Sequence, residues 1–277
     1  MIHEVIPMSE TRADGFCATL SAYILDETVY PNNPRKKPAI IILPGSGYWK
    51  CCPREGEPVA MKYLANGYNA FVLDYSCTPD VYPKALCEVS EAVKLVRKNA
   101  DKWHIDPDKI AVCGFSAGGH LAATLGTLWR REPAIKCDGL NKPNALILGY
   151  PVITSTGEFR HEGSFNYLLG ERVEDAELME FLSPEKQVTK DTPPTFLFHA
   201  YGDTGVPMEN SMMFASALRK QDIQFELHIF PRGCHGFGTA EYEACATDGL
   251  EHISQWVPLS IKWLGDLFGM DAVLKNK

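Results

Sequence analysis

The chain contains no block of lysine and arginine, no long apolar run, no CxxC pair, and no repeat or low-complexity tract. Its formal net charge is −8 over 277 residues. Nucleic acid and anionic lipid both demand a positive face, so neither is expected as a partner. The longest apolar run, 39–43, is too short to cross a bilayer. The start, Met1-Ile2-His3-Glu4-Val5-Ile6-Pro7, lacks the basic and apolar regions of an export signal. Nine scattered cysteines, an odd count, argue against a disulfide framework and for reduced thiols, hence a cytoplasmic location. HExxH, P-loop and paired cysteine-histidine spacings are missing, and Gly45-x-Gly47 has no third glycine for a dinucleotide fingerprint. No metal is expected.

What remains is the composition of a globular protein, 45% hydrophobic and 22% charged. A chain of this length buries roughly 75% of its extended surface, which predicts a single domain over 1–277. The alternating stretch 17–25 suits antiparallel edge strands and precedes a turn-rich Pro31-Asn32-Asn33-Pro34. Short apolar runs then recur at 39–43, 70–73, 110–113, 145–148, 195–198 and 225–230, as in parallel strands buried on both faces. Helical spacing lies between them, clearest in Leu86, Val89, Val93 and Val96 and in Leu121, Leu125 and Leu128. Glu57-Pro58 reads as a helix start, whereas Pro258 either begins or kinks a C-terminal helix. Strand then helix, repeated, predicts an α/β fold with a mostly parallel central sheet flanked by helices. Residues 151–194 show no comparable strand, and a connection of that length is expected to form a small lid or cap, with an ordinary surface excursion as the plainer reading.

Run 110–113 leads directly into Gly114-Phe115-Ser116-Ala117-Gly118-Gly119 and a helix pattern. This is the Gly-x-Ser-x-Gly turn in its required strand-turn-helix setting, which raises the serine hydroxyl above the sheet. A helix-capping serine in a glycine-rich turn would carry the same letters. A serine hydroxyl needs a base to take its proton and an acid to orient that base. Asp203 follows the 195–198 run and His235 follows the 225–230 run, giving the order Ser116, Asp203, His235 expected of a hydrolase sheet. The other seven histidines, His161 and His199 among them, read as packed or surface residues. Donors for a tetrahedral oxyanion are expected from the Ala117 amide and from Gly45, Ser46 and Gly47 after the 39–43 run. Tyr48 and Trp49, beside that loop, are candidates to shape a small pocket or stack on a sugar ring, with core packing as the plainer reading. Arg54, Glu55 and Glu57 read as helix-start electrostatics.

The triad pattern, Leu43-Pro44-Gly45-Ser46-Gly47-Tyr48, Arg54-Glu55-Gly56-Glu57-Pro58, Gly114 through Ala122, and Val206-Pro207-Met208-Glu209-Asn210-Ser211 together resemble the α/β-hydrolases of the esterase/lipase branch. Within it the chain is similar to small intracellular esterases related to acetyl-xylan esterases, over roughly 38–264. The resemblance implies an α/β-hydrolase fold and cofactor-free hydrolysis of a small-molecule ester, with acetyl esters such as acetylated sugars or xylo-oligosaccharides as substrates. It also implies that a homodimer is common. The sequence departs from the lipase-like His-Gly-Gly-Gly by carrying Pro44-Gly45-Ser46-Gly47, and from a doubled acid by carrying Gly202 before Asp203. Two rival readings stand beside this one: a peptidase of the prolyl-oligopeptidase type, and a non-catalytic hydrolase-fold binding protein.

Overall fold

A computed structural model describes residues 1–26, 36–241 and 250–270. The turn expected at 31–34 lies outside the described residues.

One eight-stranded sheet organises the chain, in the order β1-β2-β4-β3-β5-β6-β7-β8. Its strands are β1 (Ile2–Pro7), β2 (Thr19–Ile24), β3 (Lys37–Leu43), β4 (Asn69–Asp74), β5 (Ile105–Phe115), β6 (Ala145–Gly149), β7 (Thr195–Ala200) and β8 (Phe225–Phe230). The pairs β1–β2 and β2–β4 are antiparallel, and every other pair is parallel. Every run expected to be a strand is one, but β2, expected at an edge, lies between β1 and β4. β1 was not expected: its side chains are almost all exposed, so it carries no apolar pattern to read. β8 corrects the expectation of burial on both faces, because it is the far edge and its first five residues are only half-buried.

The helices are α1 (Glu57–Ala65), α2 (Lys84–Lys98), α3 (Ala117–Leu128), α4 (Glu162–Leu169), α5 (Ala176–Phe181), α6 (Pro184–Gln187), α7 (Glu209–Lys220), α8 (Leu250–Ile253) and α9 (Trp256–Leu267). Strand side chains alternate between faces, so the central strands feed two cores. Ile41, Leu43, Val112, Leu148 and Leu197 pack with Val93 of α2, Leu125 of α3 and Phe214 of α7. Ile40, Ile42, Phe115, Ile147 and Phe198 pack with Tyr63 of α1 and Trp256 and Trp263 of α9. Both faces are therefore covered, as the near-continuous apolar strands require. Pro258 lies in the first turn of α9, where its missing N–H costs nothing, so the helix begins there and does not kink. No helix among the described residues is long and apolar enough to cross a membrane.

Residues 151–194 contain α4, α5 and α6. Phe165, Leu168, Leu169, Met179 and Leu182 of this segment are buried in the α2/α3 core. It is a packed part of the fold.

The second core is notably aromatic. Phe198 stacks on Trp256 at 4.3 Å between ring centroids and also meets Phe115, Tyr150 and Phe237 edge-on or tilted. Phe198→Ala should cost about 3–5 kcal/mol of unfolding free energy through the cavity it leaves. Val5→Ala on exposed β1 should stay within about 0.5 kcal/mol. Urea titrations of the two variants check both values, and equal effects would contradict this division.

Candidate active site

The parallel strands β3, β5, β6 and β7 point their C-terminal ends to one edge, where the loops collect. Between β5 and α3 the chain turns sharply at Ser116, whose φ of 52° and ψ of −118° are strained for a residue with a side chain. The turn is clamped by backbone. The Ser116 amide donates to the Gly149 carbonyl at 3.0 Å, and the Ser116 carbonyl accepts from Val152 at 3.1 Å. A Cβ at Gly118 would lie 2.1 Å from the Leu43 carbonyl oxygen, so only glycine lets α3 start against β3.

The structure brings together the three residues expected from chain order. Ser116 Oγ lies 2.8 Å from His235 Nε2, and His235 Nδ1 lies 2.7 Å from Asp203 Oδ2. A carboxylate only accepts, so the proton sits on Nδ1, and Nε2 is left to accept from the serine hydroxyl. Asp203 Oδ1 accepts from the amides of Gly205 and Val206, each at 2.9 Å. Burial works to raise the Asp203 carboxyl, but hydrogen bonds from His199 and His235 outweigh it and hold the group well below the usual carboxylate range. Asp203 is therefore ionised at neutral pH.

His199 reads from sequence as a strand residue, yet its Nε2 stands 3.3 Å from Asp203 Oδ2 and 2.9 Å from the Val206 carbonyl, while Nδ1 meets Ser211 Oγ at 2.8 Å. His161 is a second histidine that sequence order does not place. It caps α4, with Nδ1 2.8 Å from Ser164 Oγ, and Ser164 faces Gly47 across the loop after β3. Their partners lie close by in sequence, three residues on for His161 and four to twelve on for His199, but no strand-end or motif position marks either histidine.

That loop corrects one expectation and narrows another. The Gly45 amide donates to Glu55 Oε2 at 2.7 Å and is unavailable to an oxyanion. Ser46 and Gly47, both at positive φ, and Ala117 at the start of α3 remain as the candidate donors. Glu55 does lie in a helical first turn, the 3-10 turn Pro53–Glu55, but it is 2% exposed and bonded on both oxygens, so its role goes beyond helix-start electrostatics. Glu57 does occupy the first turn of α1.

Tyr48 belongs to the core: it is buried, and its hydroxyl donates to His120 Nδ1 at 2.7 Å. A small apolar hollow on that side is lined by Tyr48, Leu86, His120, Leu168 and Leu182, and Ser116 is not among its walls. Trp49 is 55% exposed, with the Lys50 ammonium 4.7 Å above its ring. Burial raises the Cys52 thiol, which keeps it protonated beside the loop.

The BD-FAE family model matches residues 25–218. The chain is 40% identical to endo-1,4-beta-xylanase B of Butyrivibrio fibrisolvens over 83% of its length, and 30% identical to an acetylxylan esterase of Xylanibacter ruminicola over 82%. It spans only 36% and 46% of those two proteins. Among solved structures, an acetyl ester-xyloside bifunctional hydrolase from Caldicellulosiruptor lactoaceticus superposes with a TM-score of 0.82 at 39% identity, covering 95% of this chain and 96% of that one. The carboxylesterase Cest-2923 from Lactobacillus plantarum WCFS1 superposes with a TM-score of 0.83 at 28% identity, covering 96% and 98%.

His120 ties the loop after β3 to the 151–194 segment, since its Nε2 donates to the Leu182 carbonyl at 2.9 Å. Burial pushes its imidazole down from 6.5 to about 4. Between those values the unfolded chain binds a proton that the folded chain refuses, so stability rises with pH across that window and is lost as pH falls. The loss should reach about 3 kcal/mol between pH 6.5 and pH 4 for this group alone. Denaturation midpoints of wild type and His120→Gln across that range check it: the variant should show a flatter profile.

Proposed function

The chain belongs to the BD-FAE family of α/β hydrolases, and on that premise we propose that it is a serine carboxylic-ester hydrolase working through an acyl-enzyme. The observation that carries this reading is the unbroken relay from Ser116 Oγ through His235 to Asp203, at 2.8 Å and 2.7 Å. His235 Nε2 takes the hydroxyl proton as Ser116 Oγ attacks the ester carbonyl. The carbonyl electrons move onto oxygen, where the Ala117 amide and the Ser46 and Gly47 amides hold the negative charge. As the tetrahedral intermediate collapses, the imidazolium gives its proton to the departing alcohol oxygen. Water then attacks the acyl carbon as His235 takes its proton, and as the acyl–Oγ bond breaks the imidazolium returns that proton to Ser116 Oγ and the acid leaves. Asp203 keeps the tautomer correct and stabilises the imidazolium without taking its proton.

Short acetyl esters, in particular acetylated sugars or xylo-oligosaccharides, are the proposed substrates. Support comes from the acetylxylan esterase and the acetyl ester-xyloside hydrolase that the chain resembles. The 151–194 segment is proposed to act as a cap, with Ser164 of α4 beside Gly47 of the loop after β3. Trp49 is the exposed aromatic next to the loop on which a sugar ring would stack.

The test is hydrolysis of p-nitrophenyl acetate and octanoate by wild type and Ser116→Ala. Acetate turnover should exceed octanoate turnover and fall by at least about 10³-fold in the variant, with the melting temperature retained. A folded wild type that cleaves neither ester would contradict the proposal and direct attention to peptides.

A further inference from the structure

The fully buried Glu55 plays no part in the proton relay, and its contacts set it apart from an ordinary structural acid. Oε2 accepts the Gly45 amide at 2.7 Å and Oε1 accepts the Tyr150 hydroxyl at 2.7 Å. The Tyr150 oxygen in turn accepts the Gly238 amide at 3.0 Å. One side chain thus joins three loops. Gly45 opens the loop after β3 that carries the proposed oxyanion donors. Tyr150 follows β6, one residue after the Gly149 carbonyl that anchors the Ser116 amide. Gly238 lies three residues after His235, whose ring packs edge-on against Tyr150 at 5.0 Å between centroids.

We infer that Glu55 is a positioning residue for ester hydrolysis, holding the Gly45 amide out of the oxyanion hole and fixing the oxyanion loop in register with the His235 loop. The role rests on the serine-esterase reading given above. Three observations favour it over simple packing. Gly45 sits so close to the nucleophile that a Cβ there would fall 2.8 Å from Ser116 Cβ, so any shift of this loop moves it relative to the reacting atom. A buried carboxylate is costly, and burial raises this one above its usual range despite the bonds from Tyr150 and Gly45, so a fold without use for its acceptors would favour a neutral residue. Finally, the network needs an acceptor at both oxygens. In Glu55→Gln one end would present N–H to either the Gly45 N–H or the Tyr150 O–H, leaving a buried donor unpaired although the shape is kept.

An interaction that aligns the oxyanion loop acts in the transition state and not on the bound ester, so its loss appears in kcat. Glu55→Gln should lower kcat for p-nitrophenyl acetate about 10- to 100-fold with KM within about twofold. Phosphonylation of Ser116 by a fluorophosphonate, which also places an oxygen in the hole, should slow by a similar factor. Tyr150→Phe, which keeps the Glu55–Gly45 bond, should lower kcat by a smaller factor at constant KM. In the double variant the two effects should fall short of multiplying. A folded Glu55→Gln with wild-type kcat would overturn the role, as would a change confined to KM. If Glu55→Gln does not fold, Tyr150→Phe decides alone, and wild-type kcat there overturns the role. A wild type without Ser116-dependent esterase activity would remove the serine-esterase reading and this role with it. A Ser116-dependent wild type paired with an unimpaired Glu55→Gln removes only the role.

Discussion

A contact between two stretches of backbone sets the geometry of this site. Gly118, in the first turn of α3, lies against the Leu43 and Pro44 carbonyls at the end of β3, and the space between them excludes even one carbon atom. That approach sets the Ser116 turn against the end of β3 through backbone packing. Ser116 beside it is strained because the chain leaves β5 and enters α3 within one residue. A residue held at such angles costs about 1–3 kcal/mol, and the two packed cores on either side of the sheet supply the rigidity that maintains it.

Around this fixed turn, two buried acids are given opposite environments. Asp203 receives two amide hydrogen bonds and two histidines, and it stays ionised far below its usual range. Glu55 also accepts two hydrogen bonds, but burial dominates and its carboxyl is raised. In the proposed mechanism the first acid orients a base that becomes cationic. The second suits the alignment of loops. Tyr150 joins the two systems, bonding Glu55 through its hydroxyl and packing its ring on His235.

Much of this was readable from residue order because it depends on local pattern. Buried parallel strands leave short apolar runs, and the strand-turn-helix setting of Ser116 is contiguous. Asp203 and His235 were placed by following strands to their ends. The roles of Glu55 and Tyr48 escaped reading because they depend on contacts between distant parts of the chain. Tyr150 and Glu55 are 95 residues apart, and Tyr48 meets His120 across 72. An aromatic beside the oxyanion loop therefore suggested a pocket wall, where the fold makes Tyr48 a core strut. Glu55, next to a helix start, suggested dipole electrostatics for the same reason. β1 escaped because an exposed edge strand needs no apolar alternation.

The central claim is that Ser116 forms a covalent acyl intermediate. The most direct measurement is mass spectrometry of the protein acid-quenched during turnover of p-nitrophenyl acetate, followed by peptide mapping. The account predicts one acetyl group on the peptide containing Ser116 and none in Ser116→Ala. Turnover with no modified peptide, or with the acetyl group on another residue, would contradict it.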